Sequence, residues 1–156
     1  MNRRSIITLL TGALLTLPFT RAKAGAAEAG ASGKKAHRLA LHVDQNDADI
    51  MKLALNNARN AHDLYRERGE EVAIEIVAYS QGLHMLREDT SPVKAEIREL
   101  RKTMPQLAFG ACNNTKTGME KHEGKTVPII AEATIVPAGV VRLVELQEQG
   151  YSYVKP

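Results

Sequence analysis

Cys112 is the chain's one cysteine, and it stands in the run Ala111-Cys112-Asn113-Asn114-Thr115. An apolar stretch ends there, and the two asparagines and the threonine are residue types that begin helices. Free amide N–H groups at such a start stabilise a thiolate and lower the thiol's pKa. The same residue also fits an inert role, because a free cysteine is commonly a small buried apolar side chain. Position favours reactivity and habit favours burial, so the residues alone leave both readings open. His42 closes another apolar run and could act as base or proton donor to Cys112, or simply be held in place by a hydrogen bond.

Other candidate chemistry is thinner. His37, His62, His84 and His122 show no paired metal-ligand spacing, and the solvated reading is preferred for all four. Asp44, Asp47 and Asp49 lack the glycine and final glutamate of a calcium loop. No glycine-rich dinucleotide motif, phosphate loop or nucleophile elbow occurs, so neither metal nor cofactor is expected. Asn57 falls on a stripe with Ile50, Leu53, Ala61 and Leu64 and is expected to face inward, where an amide must find partners.

The elements that must position these residues alternate between strand and helix. Arg38 to Val43 reads as a buried strand, with Leu39 and Leu41 on one face and Ala40 and His42 on the other. Acidic residues at Asp44–Asp49 open a helix that runs to Arg68 and is closed by Gly69. Val72–Ala78 is the clearest strand, rich in β-branched residues. A turn at Ser80–Gly82 precedes a short helix, and Ser91 with Pro92 predicts a cap and first helical position for a helix to about Thr103. Leu107–Ala111 and Ala131–Val136 read as strands, Asn113–Gly124 as helix or loop, Val140–Gln149 as helix, and Tyr151–Val154 as a last strand. Strands separated by helices predict a mostly parallel five-stranded sheet covered on both faces. Ligands of such sheets bind beyond the carboxyl ends of the strands. Those ends bring His42, Tyr79, Cys112 with Asn113 and Asn114, and Pro137 to one rim.

Charge and length exclude several classes. The 156 residues hold 21 basic and 18 acidic side chains, a formal charge of +3. Residues 1–24 contain Arg3, Arg4, Arg21 and Lys23 and no acid; the rest keeps 17 basic residues against 18 acidic ones, or −1. That balance, with Phe109 and four tyrosines as the remaining aromatics, argues against nucleic acid as a partner. The first 24 residues read as an export signal: a cationic start, an apolar run from Ile6 to Phe19, and Ala22-Lys23-Ala24 as a cleavage site. The run is too short to span a bilayer, so no membrane association is expected after its removal. Arg3-Arg4-Ser5 is similar to a bacterial twin-arginine signal, which predicts a periplasmic location. Residues 25–36 carry no large apolar side chain and read as a flexible leader to a domain over residues 37–156.

Five stretches together resemble the DsrE/DsrF-like family. They are His42-Val43-Asp44, Ala54-Leu55-Asn56-Asn57-Ala58, Ala111 to Thr115, Val136-Pro137-Ala138-Gly139-Val140-Val141, and Leu146 to Tyr153. The resemblance covers about residues 37–156 and implies a three-layer α/β/α domain that assembles as a homo-oligomer. It implies that Cys112 carries sulfur as a persulfide, with a donor or acceptor thiol as partner. Asn113, Asn114 and Thr115 would then offer hydrogen-bond donors, His42 would manage the proton, and Tyr79, Asn57 and Pro137 would line the site. The alternative is a non-catalytic periplasmic module for small-ligand binding or assembly. A Cys-His hydrolase is less well supported, since neither an oxyanion-hole motif nor an orienting acid is evident.

Overall fold

The computed structural model describes residues 36–156, so the expected export signal and the leader up to residue 35 lie outside the described residues. Ala36, expected to end the leader, is instead the first residue of a strand.

 The chain then runs β1 (Ala36–Val43), α1 (Ala48–Glu67), β2 (Glu71–Ala78), a 3₁₀ helix (Ser80–Leu86), α2 (Lys94–Thr103), β3 (Ala108–Cys112), α3 (Asn113–Glu123), β4 (Thr134–Val136), α4 (Gly139–Glu148) and β5 (Ser152–Val154). All five strands are parallel, in the order β4-β3-β2-β1-β5. This is the three-layer α/β/α arrangement that the alternation of elements predicts.

Local chemistry explains most boundaries. Asp47 caps α1 by accepting the N–H groups of Asp49 and Ile50 at 2.8 and 3.2 Å. Gly69, at φ +70°, takes the left-handed conformation that ends the helix. Ser91 does not cap α2. Its hydroxyl donates to the Met85 carbonyl at 2.6 Å, and fully buried Val93 must enter the core before the helix starts at Lys94. The fourth strand is shorter than expected because the chain turns at residues 131–132, where the Ala133 amide donates to the Ile130 carbonyl at 3.1 Å, just after Ile129 bridges to Arg87.

Strand alternation divides the core in two. Leu41, Val43, Ile74, Ile76, Ala78, Phe109 and Ala111 face α1, α2 and the 3₁₀ helix, and Met119 of α3 packs on the same side. Ala40 and Val77 face the opposite way, under Leu143 and Leu146 of α4. Handedness accounts for this division. Successive connections from β1 to β4 step in one direction across the sheet, whereas β4 to β5 steps back. Right-handed crossovers therefore place α4 alone on the second face. Buried Glu75 accepts two hydrogen bonds from Arg142, at 2.8 and 2.7 Å, and ties α4 to β2.

The phase of α1 differs from the expected one. Its buried residues are Met51, Ala54, Leu55 and Ala58, while Leu53 and Leu64 are 45% and 47% exposed. Asn57 sits half-buried on the flank rather than inward, and no hydrogen bond to its side chain occurs among the described residues. Small alanines fit against a sheet face already filled by Leu41, Ile74 and Ile76, and this rotates the larger leucines outward. Among the described residues, no helix is long and apolar enough to cross a membrane.

Candidate functional site

The connections leaving β3 and β4 diverge: α3 follows β3 on the first face and α4 follows β4 on the second. Neighbouring strands whose connections part in this way form the crevice where open α/β sheets bind ligands. Cys112 ends β3 at that crevice. It is also the N-cap of α3, with its Sγ accepting the Thr115 N–H at 3.4 Å. The Thr115 hydroxyl and the amides of Gly139 and Asn114 also face the sulfur. Two helix starts therefore converge on one thiol. The Asn114 amide further donates to the Pro137 carbonyl at 3.3 Å, joining the two diverging segments.

Opposing influences act on this thiol. Burial, the largest single one, pushes it up, because a thiolate is poorly accommodated away from water. The Thr115 hydroxyl, then the amides of Thr115, Gly139 and Asn114, favour the anion and together hold the thiol below its ordinary value. Cys112 is 4% exposed.

His42 does not form a pair with Cys112. Its Nδ1 lies 2.8 Å from the Tyr153 hydroxyl, and its ring stacks on Tyr79 at 4.5 Å between centroids. Strand β2 separates β1 from β3, so the Tyr79 ring occupies the space that a His-Cys contact would need. Tyr79 also lies against Gly139, where an added Cβ would come within 2.7 Å of its Cδ1. Burial lowers the His42 pKa, with Asp44 opposing the effect and Lys155 adding to it, which favours the neutral ring. Asp44 accepts from Lys155 Nζ at 2.7 Å, and this contact is the chief cause of its lowered pKa. Tyr79 is pushed above the ordinary phenol value, first by burial and then by the Asp44 carboxylate.

The expected site residues therefore separate. Cys112, Thr115, Tyr79 and His42 share one rim, and Pro137 contributes its carbonyl there. Asn113 and Asn114 have exposed side chains without hydrogen bonds among the described residues, so Asn114 acts through its backbone. Asn57 belongs to α1, in the layer across the sheet, and does not join the site. His122 is exposed as expected, but the solvated reading needs correction for three half-buried histidines: His37 stacks on Tyr65 and lies 2.9 Å from Glu70, His62 lies 3.0 Å from Asp63, and His84 lies 2.8 Å from Thr90. Tyr153, Lys155, Asp44, Gly139 and Ser80 also join the rim; Tyr153, Asp44 and Gly139 lie in the family-like stretches, although the sequence singles out none of the five as a site residue. For Tyr153 and Lys155 the available signal was period-2 alternation in the final strand, which puts Tyr151, Tyr153 and Lys155 on one side. No group of three or more His, Cys, Asp or Glu side chains among the described residues is arranged to hold a metal ion.

No protein-family model matches the chain, and no curated protein matches it. Among solved structures, it is similar to MTH1491 of Methanobacterium thermoautotrophicum, which is described as a protein of unknown function. The two are 31% identical over 77% of this chain and 99% of the other, with a TM-score of 0.64. With that identity and coverage, the chain belongs to the same family as MTH1491.

Proposed function

We propose that the protein is an exported sulfur carrier in which Cys112 accepts sulfane sulfur and passes it to another thiol. The observation that carries this reading is the convergence of the α3 and α4 starts on the Cys112 sulfur. In the first step the Cys112 thiolate attacks the outer sulfur of a persulfide or polysulfide. The donor's S–S bond breaks, its thiolate leaves with the electron pair, and Cys112 becomes a persulfide. An acceptor thiolate then attacks the outer sulfur and releases the Cys112 thiolate. Amides at the helix starts stabilise the anion before and after each step. The resemblance to DsrE/DsrF-like proteins supports the same role, and the twin-arginine-like signal supports a periplasmic setting.

Incubation of the mature protein with polysulfide, followed by intact mass measurement, tests this. A reducible one-sulfur adduct that is lost in Cys112→Ser supports the carrier. Absence of an adduct with several donors favours the second reading, a non-catalytic module. The 4% exposure of Cys112 is the observation on that side. We also propose a homo-oligomer, supported by the exposed apolar residues Ile135, Val140, Val141 and Val144. Sedimentation of the mature protein as a monomer at micromolar concentration would remove that part. Replacing Arg3 and Arg4 with lysine tests the export route: precursor retained in the cytoplasm supports the twin-arginine pathway.

A further inference from the structure

Two buried polar atoms at the same rim have no hydrogen-bond partner among the described residues: Nε2 of His42 and Oδ1 of Asp44. His42 is only 4% exposed, and its Nε2 lies 4.0 Å from the other carboxylate oxygen of Asp44. Buried groups of this kind are normally satisfied, so the pair marks a place where a polar group belongs. The orphan atoms restrict what that group is. The Asp44 carboxylate only accepts hydrogen bonds. Nε2 also accepts when Nδ1–H donates to the Tyr153 oxygen. A ligand group must therefore donate to Asp44 Oδ1, and one with a second donor also satisfies Nε2 in that tautomer, which fits an ammonium.

The position relates this pair to Cys112. Val43 pairs with Ala78 and Ala78 with Ala111, so the next residues along, Asp44, Tyr79 and Cys112, stand level at the ends of three adjacent strands. Two inter-strand spacings, roughly 9–10 Å, separate the outer two backbones. The Tyr79 ring lies between them, stacked on His42 and against Gly139. A short aminothiol, with a hydrogen bond at its nitrogen and a sulfur contact at its other end, is about the length needed.

We propose that His42 Nε2 and Asp44 Oδ1 form a subsite for the ammonium group of a small aminothiol or its disulfide, which places the ligand's sulfur at Cys112. This deepens the carrier reading and rests on its assignment of Cys112 as the reactive thiol. Lys155 stays paired with Asp44 Oδ2 and leaves Oδ1 for the ligand.

Thiol–disulfide exchange tests the subsite without requiring sulfur transfer. Cys112 thiolate attacks one sulfur of a symmetrical disulfide, forms the mixed disulfide and expels the other half as a thiolate. Rates with cystamine, 2-hydroxyethyl disulfide and 3,3′-dithiodipropionate are measured on the mature protein. Each is divided by the rate of N-acetylcysteine with the same disulfide, which removes intrinsic leaving-group differences. The expected result is a preference of roughly tenfold or more for cystamine, the effect of one hydrogen bond to a charged group. That preference should disappear in Asp44→Asn and His42→Phe and persist in Glu145→Gln, which removes an acid on α4 outside the rim. Equal normalised rates, a preference that survives in Asp44→Asn, or a thiol inert to all three disulfides overturns the subsite. A cystamine preference without any polysulfide adduct keeps the subsite and overturns the carrier; an adduct without the preference does the reverse.

Discussion

The amide of Ser80 donates to Oγ1 of Thr115 at 3.0 Å, across the gap between the 3₁₀ helix and α3. Because Oγ1 accepts there, the hydroxyl proton of Thr115 is free to point at the Cys112 sulfur, which its own amide also reaches at 3.4 Å. Ser80 holds this geometry at φ +52°, the one positive φ of a non-glycine among the described residues. Left-handed backbone at a serine costs on the order of 1–2 kcal/mol and is retained where surrounding structure fixes it.

Removing the Thr115 hydroxyl should therefore weaken the thiolate. In Thr115→Val the midpoint of Cys112 alkylation against pH is expected to move upward, and Thr115→Ser should restore it. The net loss of stability should stay near that of one hydrogen bond, about 0.5–1.5 kcal/mol. Ser80→Gly keeps the amide and should leave the pH profile alone. A Thr115→Val profile that coincides with the parent's would show that the helix amides suffice by themselves.

Added methyl groups at three glycines should rank in a fixed order. At Gly82 a Cβ would lie 2.2 Å from the Val43 carbonyl oxygen, which is backbone and cannot turn aside. At Gly139 it would meet the Tyr79 ring at 2.7 Å, and at Gly118 it would meet nothing within 4 Å. Gly82→Ala should be the most destabilising and Gly139→Ala should cost about 1–3 kcal/mol. Gly118→Ala should stabilise α3 by up to about 1 kcal/mol, since glycine is a poor helix former. Thermal melts of the three variants decide the order.

Parts of this site were legible in the sequence for a physical reason. Alternation in Arg38–Val43 separates Leu41 from His42, and the structure keeps them on opposite faces. The Cys-Asn-Asn-Thr run marked a helix start, and a helix starts there. Residue size misled at α1, where Leu53 and Leu64 suggested an inward stripe that the sheet fills with Ala54 and Ala58 instead. The sequence predicts a turn at Ser80–Gly82 but not the left-handed backbone of Ser80, because that conformation is imposed by the neighbouring elements and not by the residue's own preference. Nor does spacing along the chain show that Lys155 reaches Asp44, 111 residues away.

Acid should weaken the junction of the 3₁₀ helix and α3. Arg87, 1% exposed, donates to Asp89 at 2.9 and 2.8 Å and also pairs with Glu123. The Arg87 guanidinium pushes Asp89 down to about 2. A carboxylate depressed in the folded state contributes stability above its unfolded pKa, near 3.9, and loses it as pH falls toward its folded value. Melting of the parent and Asp89→Asn should differ at neutral pH and converge between about pH 4 and pH 2. A difference that stays constant over that range would mean that the Asp89 charge is immaterial.

Arg142 ties α4 to the sheet by its two hydrogen bonds to Glu75, which is 6% exposed. Breaking such a pair from one side leaves a buried charge without compensation and costs about 3–5 kcal/mol. Arg142→Met should fall at the low end, because the arginine itself is 28% exposed and water can partly replace it. Replacing both partners, as Glu75→Leu with Arg142→Met, should recover much of the loss, since no charge is then stranded. The same anchor bears on chemistry, because the first amide of α4, at Gly139, faces the Cys112 sulfur. A loosened α4 should stabilise the thiolate less, so the alkylation midpoint of Arg142→Met should rise above the parent's. Denaturant melts and alkylation profiles of the single and double variants measure the two effects separately. If the double variant is no more stable than Arg142→Met, the pair contributes through its packing and not through its charge.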